Sequence, residues 1–394
     1  MSLILQPVKR LRPSLLPFPG PHCRRYASTN TSRPKQRIWL RGTIVTAVAV
    51  AIGGYVRYQQ DSSSATLNPY TFTQYELVSK TPVSSTSSIF TLRPVKPGDN
   101  DAVYKENWQR GLWSVQFKQP QLQIGRDYTP LPPVEDNLME EHGGGGKGEG
   151  DGALRFLIRK DPHGEVSGYL HNLPPGAKLD IRGPRLDYII PAGVDEILFI
   201  AGGTGIAPAL QAAYTLFRNN KRADSQMRTK MHILWANRRR EDCLGGASDT
   251  SSLPSTTSSM PWWKRLFSSG KDKDPSVLEH TPQNAIEKSL MVQYLEGLKA
   301  HYPDTLTVDY FVDEEGLLIG TDSILNFTKP DGENGTRERK DSPRGRKLIL
   351  VSGPDGFISY MAGPKMWSGG KEIQGPLQGL IRQLNLKDWS VWKL

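Results

Sequence analysis

Glu196 to Ala201 reads EILFIA, a nearly continuous apolar run, and it gives way at once to Gly202-Gly203-Thr204-Gly205 and then to a helical pattern from Ala207 to Phe217. Such a run suits a strand buried on both faces, the situation of strands in a parallel sheet. The glycines after it let the main chain approach a pyrophosphate closely. The first turn of the helix offers that charge unpaired N–H groups and a positive dipole end. The spacing is not Gly-x-Gly-x-x-Gly, so the general dinucleotide fingerprint is not met, although strand, turn and helix come in the right order. A tight turn without a ligand is the competing reading.

This feature divides the chain. Before it, from Tyr70 to about Ile190, short β-prone runs (residues 72–80, 88–95, 113–119, 155–160 and 177–184) alternate with turn residues, the pattern of a small antiparallel barrel. After it, strand-like runs at 196–201, 231–236, 306–312 and 347–352 alternate with helical stretches at 207–217, 290–300 and 376–384, the pattern of a parallel α/β sheet. The expected fold is therefore an antiparallel β-barrel domain over 70–190 followed by a parallel-sheet α/β domain over 191–394. Segments 136–152, 244–285 and 327–346 are rich in Gly, Ser or charge and read as inserted flexible loops. The pair Trp262-Trp263 within the second is an exception, suited to a partner or membrane contact.

Two constellations in the barrel half carry chemistry. Arg126-Asp127-Tyr128-Thr129-Pro130 closes a strand. A flavin dinucleotide needs a cation for its pyrophosphate, which Arg126 supplies, and an apolar wall for its ring, which Tyr128 supplies. It also needs a hydroxyl near its redox-active nitrogen, and Thr129 is suitably placed. Alone, the pentapeptide also fits a plain strand-end turn. About forty residues on, Gly164-Glu165-Val166-Ser167 opens a helix whose free N–H groups suit a second phosphate. An ordinary helix with Ser167 as its cap is the alternative.

Composition removes several classes. Only Cys23 and Cys243 are present, which excludes a disulfide framework and a multi-cysteine metal site, and the seven histidines show no ligand spacing. No metal is expected. The formal charge of +10 lies mostly in residues 1–41, which hold nine basic side chains and no acid, leaving about +1 for the remainder. A nucleic-acid partner is not expected.

That basic, acid-free start has the composition of a mitochondrial transit peptide (1–37), with cleavage after Tyr26 expected. Residues 42–56 are uncharged and apolar, and with Ile38, Trp39 and Leu40 they make an expected membrane span over 38–58, flanked by Trp39, Tyr55 and Tyr58. A polar linker, 59–69, follows. Positive charge precedes the span, so the folded part is expected on the opposite side, in the intermembrane space.

Taken in order, the motifs resemble those of the ferredoxin-reductase family, most of all its cytochrome-b5-reductase branch: Arg-x-Tyr-Ser/Thr, Gly-x-x-Ser, Gly-Gly-Thr-Gly-Ile-x-Pro and a late Cys-Gly-Pro-Pro. The resemblance covers about Tyr70 to Leu394. It implies an FAD barrel, a nicotinamide-nucleotide domain, and hydride transfer from NADH or NADPH where they meet. Arg126, Tyr128 and Thr129 would then hold the flavin and its phosphate, and Gly164, Val166 and Ser167 the FAD pyrophosphate. Gly202, Gly203, Thr204 and Gly205 would bind the nicotinamide nucleotide, with Ser352, Gly353 and Pro354 beside its ring. Thr129 and Ser352 would touch the chemistry.

Two departures stand out: Ser352 replaces the family's Cys, which implies slower hydride transfer, and Asp355 replaces its second Pro. Arg238-Arg239-Arg240, after the second strand of the α/β half, would hold the 2′-phosphate of NADPH or form a solvated charge run; the residues leave both open. The leader, span, insertions and Ser-Gly-Pro-Asp-Gly-Phe variant resemble a fungal inner-membrane subgroup that assists haem attachment to cytochrome c. This implies haem iron as acceptor and the haem lyase as partner. A cytochrome b5 reductase, a non-catalytic flavoprotein scaffold, and a reductase of quinone or oxygen are the competing functions.

Overall fold

The computed structural model describes residues 43–54, 65–133, 152–220 (218–220 by backbone alone), 229–250, 288–328 and 346–394. The contacts divide the chain into two units, 1–61 and 62–394.

In the first unit the described residues form one helix, α1 (43–54), exposed along its whole length. Twelve residues of helix span about 18 Å. No helix among the described residues is long and apolar enough to cross a membrane. The rest of the expected span, 38–42 and 55–58, lies outside the described residues, as do the leader, its cleavage site and linker residues 59–64.

The second unit holds both sheets. Strands β1 (Thr73–Pro82), β2 (Ser87–Pro94), β3 (Leu112–Gln119), β4 (Ile124–Tyr128), β5 (Pro130–Leu131), β6 (Leu154–Arg159) and β7 (Lys178–Tyr188) pair antiparallel in the order β4-β3-β7-β1-β2-β6-β5. The two edge strands are β4 and β5, and a single residue, Thr129, joins them. The sheet must therefore roll until its edges meet, which makes it a barrel with Thr129 at the seam. Strand periodicity sends Tyr75 and Leu77 of β1, Phe90 and Leu92 of β2, and Trp113, Val115 and Phe117 of β3 into one core. Helix α2 (Asn100–Arg110) adds Tyr104 and Trp108, and α3 (Glu165–Asn172) adds Val166 and Leu170.

The second sheet is wholly parallel, in the order β10-β9-β8-β11-β14, formed by β8 (Val194–Gly202), β9 (Lys230–Asn237), β10 (Leu306–Val312), β11 (Arg346–Ser352) and β14 (Trp389–Lys393). In chain order this is 3-2-1-4-5, so the topology reverses between β8 and β11. Ligands of such sheets bind at that point, beyond the carboxyl ends of the strands. Successive residues of β8 face opposite cores, as burial on both faces requires. Ile197 and Phe199 meet α4 (Ile206–Asn220) and α5 (Leu290–His301). Leu198 and Ile200 share the other core with α6 (Thr321–Thr328), α7 (Asp355–Ala362) and α8 (Gly379–Gln383).

Helix α4 belongs to both halves. Its Leu210 and Ala213 lie in the α/β core, while Tyr214 packs in the barrel core with its ring edge-on to Trp108, centroids 5.5 Å apart.

Several local expectations need correction. The helix expected over 376–384 shrinks to Gly379–Gln383, because Gly375 and Gly379 take left-handed φ values of 62° and 66° and Pro376 lies between them. A hairpin, β12 (Met366–Ser368) and β13 (Lys371–Ile373), precedes it, turned by Gly369 and Gly370 with φ of 58° and 74°. Helices α2, α6 and α7 and strand β14 carried no sequence expectation. In the expected loop 244–285, residues 248–250 are tied to the free edge of β10: Tyr310 N donates to Ser248 Oγ (2.9 Å), Val308 N to Asp249 Oδ2 (2.8 Å) and Thr250 N to Asp309 Oδ1 (3.0 Å). Residues 251–287, with Trp262-Trp263, and 134–151 and 329–345 lie outside the described residues.

Candidate active site

The flavin-type motif runs along the last strand before the seam. Asp127 is committed to the barrel, accepting from Arg185 Nη1 (2.6 Å) and Gln116 Nε2 (3.1 Å). Arg126 beside it is exposed and donates only to its neighbour Gly125 O (3.2 Å), with no carboxylate partner among the described residues. An unpaired guanidinium at a strand end is available to a phosphate. Tyr128 is half-buried with its ring edge-on to Phe117 (5.0 Å). Burial pushes its hydroxyl up to about 12, the charge of Arg126 opposes that rise and the charge of Asp161 adds to it. Tyr128 also packs against the core cluster that holds Val166 of the second motif, which brings the two motifs, forty residues apart, to one end of the barrel core. The Thr129 hydroxyl makes no hydrogen bond among the described residues.

In the second motif Gly164, not Ser167, is the N-cap of α3, and no side chain caps the helix. The Ser167 hydroxyl accepts from Asp161 N (3.1 Å) and donates to Gly164 O (3.1 Å), which fixes the loop instead of facing a ligand. Val166 is a core residue, 2 % exposed. What remains for an anion is the uncapped first turn of main-chain N–H groups. A Cβ on Gly164 would lie 2.8 Å from Asp161 Cβ, so the loop closes this tightly only around glycine.

At the switch point of the parallel sheet the two nicotinamide-type motifs touch. Ser352 pairs in register with Ala201. A Cβ on Gly205 would lie 2.7 Å from the Ser352 carbonyl carbon, and one on Gly202 would lie 2.8 Å from the Phe357 ring. Gly203 takes φ +54°, and nothing approaches its would-be Cβ except Arg159 Nη1 at 4.0 Å. Its carbonyl accepts from Trp235 Nε1 (2.9 Å), a fully buried indole that holds the turn from below. Ser352 is buried and Pro354 is the N-cap of α7.

Sequence reading missed three residues here. Arg159 ends β6 of the barrel, reaches the Gly203 turn, and makes no hydrogen bond or ion pair among the described residues; a cation at a strand end just before the Gly164 motif was its only signal. Trp235 carried no signal, because its role depends on sheet register. Gln211 is the third. It is fully buried on α4, its Nε2 donates to Trp113 O (3.0 Å) and Pro130 O (3.0 Å), and its Oε1 accepts from Trp113 N (2.9 Å). A lone polar residue among Ala209, Leu210, Ala212 and Ala213 was the visible clue.

The arginine run lies at the end of β9. Arg239 pairs with Glu241 (3.2 Å), and Arg240 forms a two-toothed pair with Glu315 while its main-chain N donates to Glu314 Oε1 (2.7 Å). Only Arg238 lacks a carboxylate among the described residues. The barrel's β1–β2 turn closes on this end: Ser84 Oγ donates to Asp242 Oδ1 (2.6 Å) and Ser85 Oγ to Glu241 Oε1 (2.6 Å).

These residues fit two nucleotides. Arg126 and the α3 first turn have the chemistry to hold one pyrophosphate, and the glycine turn with Arg159 the chemistry to hold another. Among the described residues no group of acidic, His or Cys side chains is arranged to hold a metal.

Comparison with known proteins agrees with this layout. Residues 199–301 match the oxidoreductase NAD-binding domain family. The chain is 32 % identical over 386 residues to the cytochrome c mitochondrial import factor CYC2 of Saccharomyces cerevisiae, covering 94 % of this chain and 96 % of that one. It is 32 % identical to NADH-cytochrome b5 reductase 2 of Phaeosphaeria nodorum over 71 % of this chain and 63 % of the relative. An uncharacterised FAD-binding protein of Schizosaccharomyces pombe is 27 % identical over 93 % of this chain and its own whole length.

Proposed function

The chain belongs to the ferredoxin-reductase-like family of flavoproteins that use FAD and NAD(P)H, and from that premise we propose that it passes reducing equivalents from NADH through FAD to haem iron, in support of haem attachment to cytochrome c. When bound, the nicotinamide supplies a hydride and the flavin accepts it and releases electrons singly. Arg126 and the first turn of α3 bind the FAD phosphates, Tyr128 walls the ring, and Thr129 presents its hydroxyl at the seam. Gly202, Gly203, Thr204 and Gly205 bind the nicotinamide nucleotide with Arg159, and Ser352, Gly353 and Pro354 flank its ring. We take 70–190 as the flavin half and 191–394 as the nicotinamide half. The observation that carries this reading is the contact of the Gly202–Gly205 turn with Ser352-Gly353 at the switch point, one helix away from Thr129.

The haem acceptor is favoured by end-to-end similarity to the import factor. The acid-free basic leader supports mitochondrial import, and an apolar helix exposed on all sides supports an inner-membrane anchor over 38–58 with the folded part in the intermembrane space and the haem lyase as neighbour. Similarity to the b5 reductase favours cytochrome b5 as a second acceptor. Both are tested by reducing the purified full chain anaerobically with NADH and then adding either ferric haem or oxidised cytochrome b5. Rapid reduction of haem supports the proposal, rapid reduction of cytochrome b5 alone transfers it to the second reading, and a flavin that stays oxidised leaves only a scaffold.

Two further results are expected. Arg239 and Arg240 are paired to Glu241 and Glu315, and the turn that carries Asp313 and Glu314 lies beside Arg238, so four acids face three arginines and a 2′-phosphate meets net negative charge; kcat/KM for NADH therefore exceeds that for NADPH by about tenfold or more, the effect of one unfavourable charge contact. Glu315→Gln narrows the gap, and equal use of both nucleotides by the unaltered chain contradicts the assignment. Ser352→Cys is expected to speed flavin reduction severalfold without altering FAD content, read by stopped-flow absorbance; an unchanged rate removes Ser352 from the hydride path.

A further inference from the structure

We propose that Gln211 is a positioning residue that fixes the registration of the nicotinamide turn against the flavin seam and thereby governs the rate of hydride transfer. The inference rests on the functional reading above, in which Thr129 and Gly203–Gly205 serve the two cofactors.

Gln211 joins them, by hydrogen bonds on the flavin side and by one stretch of helix on the nicotinamide side. Its carboxamide reaches Pro130 O, the carbonyl next after Thr129. In the other direction it stands six residues along α4 from Gly205, about 9 Å of helix rise. Its remaining bonds go to both main-chain groups of Trp113 on β3. Strands β3 and β5 belong to opposite ends of the seven-strand order, so one side chain crosses the barrel seam. The planar amide uses both donors and its acceptor within this small triangle. That fixes the helix in rotation as well as in distance, which apolar packing alone leaves free to slide.

The anchorage on the barrel side is rigid. Trp113 is fully buried, edge-on to Trp108 (5.0 Å) and stacked on Tyr104 (6.4 Å). Leu112, Leu131 and Leu157 of the barrel share an apolar cluster with α4, and farther along the helix Tyr214 lies against the Trp108 ring and Thr215 Oγ1 donates to Trp108 O (3.3 Å), both contacts falling on α2. Thr215 stabilises the interface away from the seam, whereas Gln211 hydrogen-bonds the residue next to Thr129.

The test compares Gln211→Met, which keeps the volume and removes all three bonds, with Thr215→Val, which removes a buried bond at the far end of the same interface. Flavin content, Tm, the dissociation constant of NAD+, the change in flavin circular dichroism on adding NAD+, and the anaerobic rate of flavin reduction at saturating NADH are measured on the full chain. Gln211→Met is expected to bind FAD and NAD+ within about twofold of the unaltered chain, to lose much of the circular-dichroism response, and to be reduced about 10- to 100-fold more slowly, as a displacement on the order of 1 Å predicts. Thr215→Val is expected to lower Tm while keeping rate and spectrum. Should the methionine variant not fold, Gln211→Asn, which withdraws the amide by one methylene, carries the same expectation. Unchanged reduction in the Gln211 variants, or equal slowing by Thr215→Val, overturns the inference. An unaltered chain that takes up no FAD or is not reduced by nicotinamide nucleotides overturns the functional reading instead.

Discussion

Gly205→Ala is expected to give a protein that stays yellow but is reduced by NADH at least about a hundredfold more slowly, the scale of loss that a misplacement near 1 Å produces. The added Cβ would lie 2.7 Å from the Ser352 carbonyl carbon and 3.0 Å from Gly353 N. Both are main-chain atoms at the end of a strand whose ladder with β8 runs to Ser352 and Ala201, so neither can step aside cheaply. Overpacking of this sort costs about 1–3 kcal/mol and pushes the glycine turn away from Ser352. The residues proposed to bind flavin lie in the barrel half and are untouched, so FAD content should hold. Flavin per chain and stopped-flow reduction measure the two halves separately. Normal reduction by the variant would place the nicotinamide elsewhere.

Arg126→Leu should have the opposite profile. Its guanidinium makes one weak main-chain contact and no ion pair among the described residues, so the folded chain loses little by its removal, within about 0.5 kcal/mol for a surface site. Bound FAD loses a charge-assisted contact to phosphate, about 3 kcal/mol, which weakens Kd by roughly a hundredfold. The variant should purify nearly colourless with an unchanged Tm for its apoprotein, and excess FAD should restore reduction by NADH. Equal FAD affinity in variant and parent would remove Arg126 from the site.

The parts of this account legible in the sequence are those set by local chemistry. Three glycines after a doubly buried strand can be read directly, because a close approach to a neighbouring strand or ligand tolerates no Cβ. The antiparallel and parallel halves were legible because hydrophobic period and run length differ between half-buried and fully buried strands. The Ser167 cap failed as a reading because a serine three residues into a helix looks like a cap until Asp161 is seen to claim its hydroxyl. Long-range pairings were invisible. Gln211 meets Trp113 across 98 residues, and Arg240 meets Glu315 across 75, so the arginine run looked free when two of its three members were already paired. The Met366–Ile373 hairpin escaped because its strands are three residues each and exposed throughout, with no core to impose a pattern.

The proposed function depends on bound FAD and a nicotinamide meeting across α4. An anaerobic titration of the purified, FAD-loaded chain with NADH tests that meeting without reference to any acceptor. Bleaching of the flavin band that reaches completion at one NADH per FAD is the expected result. A flavin that stays fully oxidised in excess NADH and in excess NADPH would contradict it.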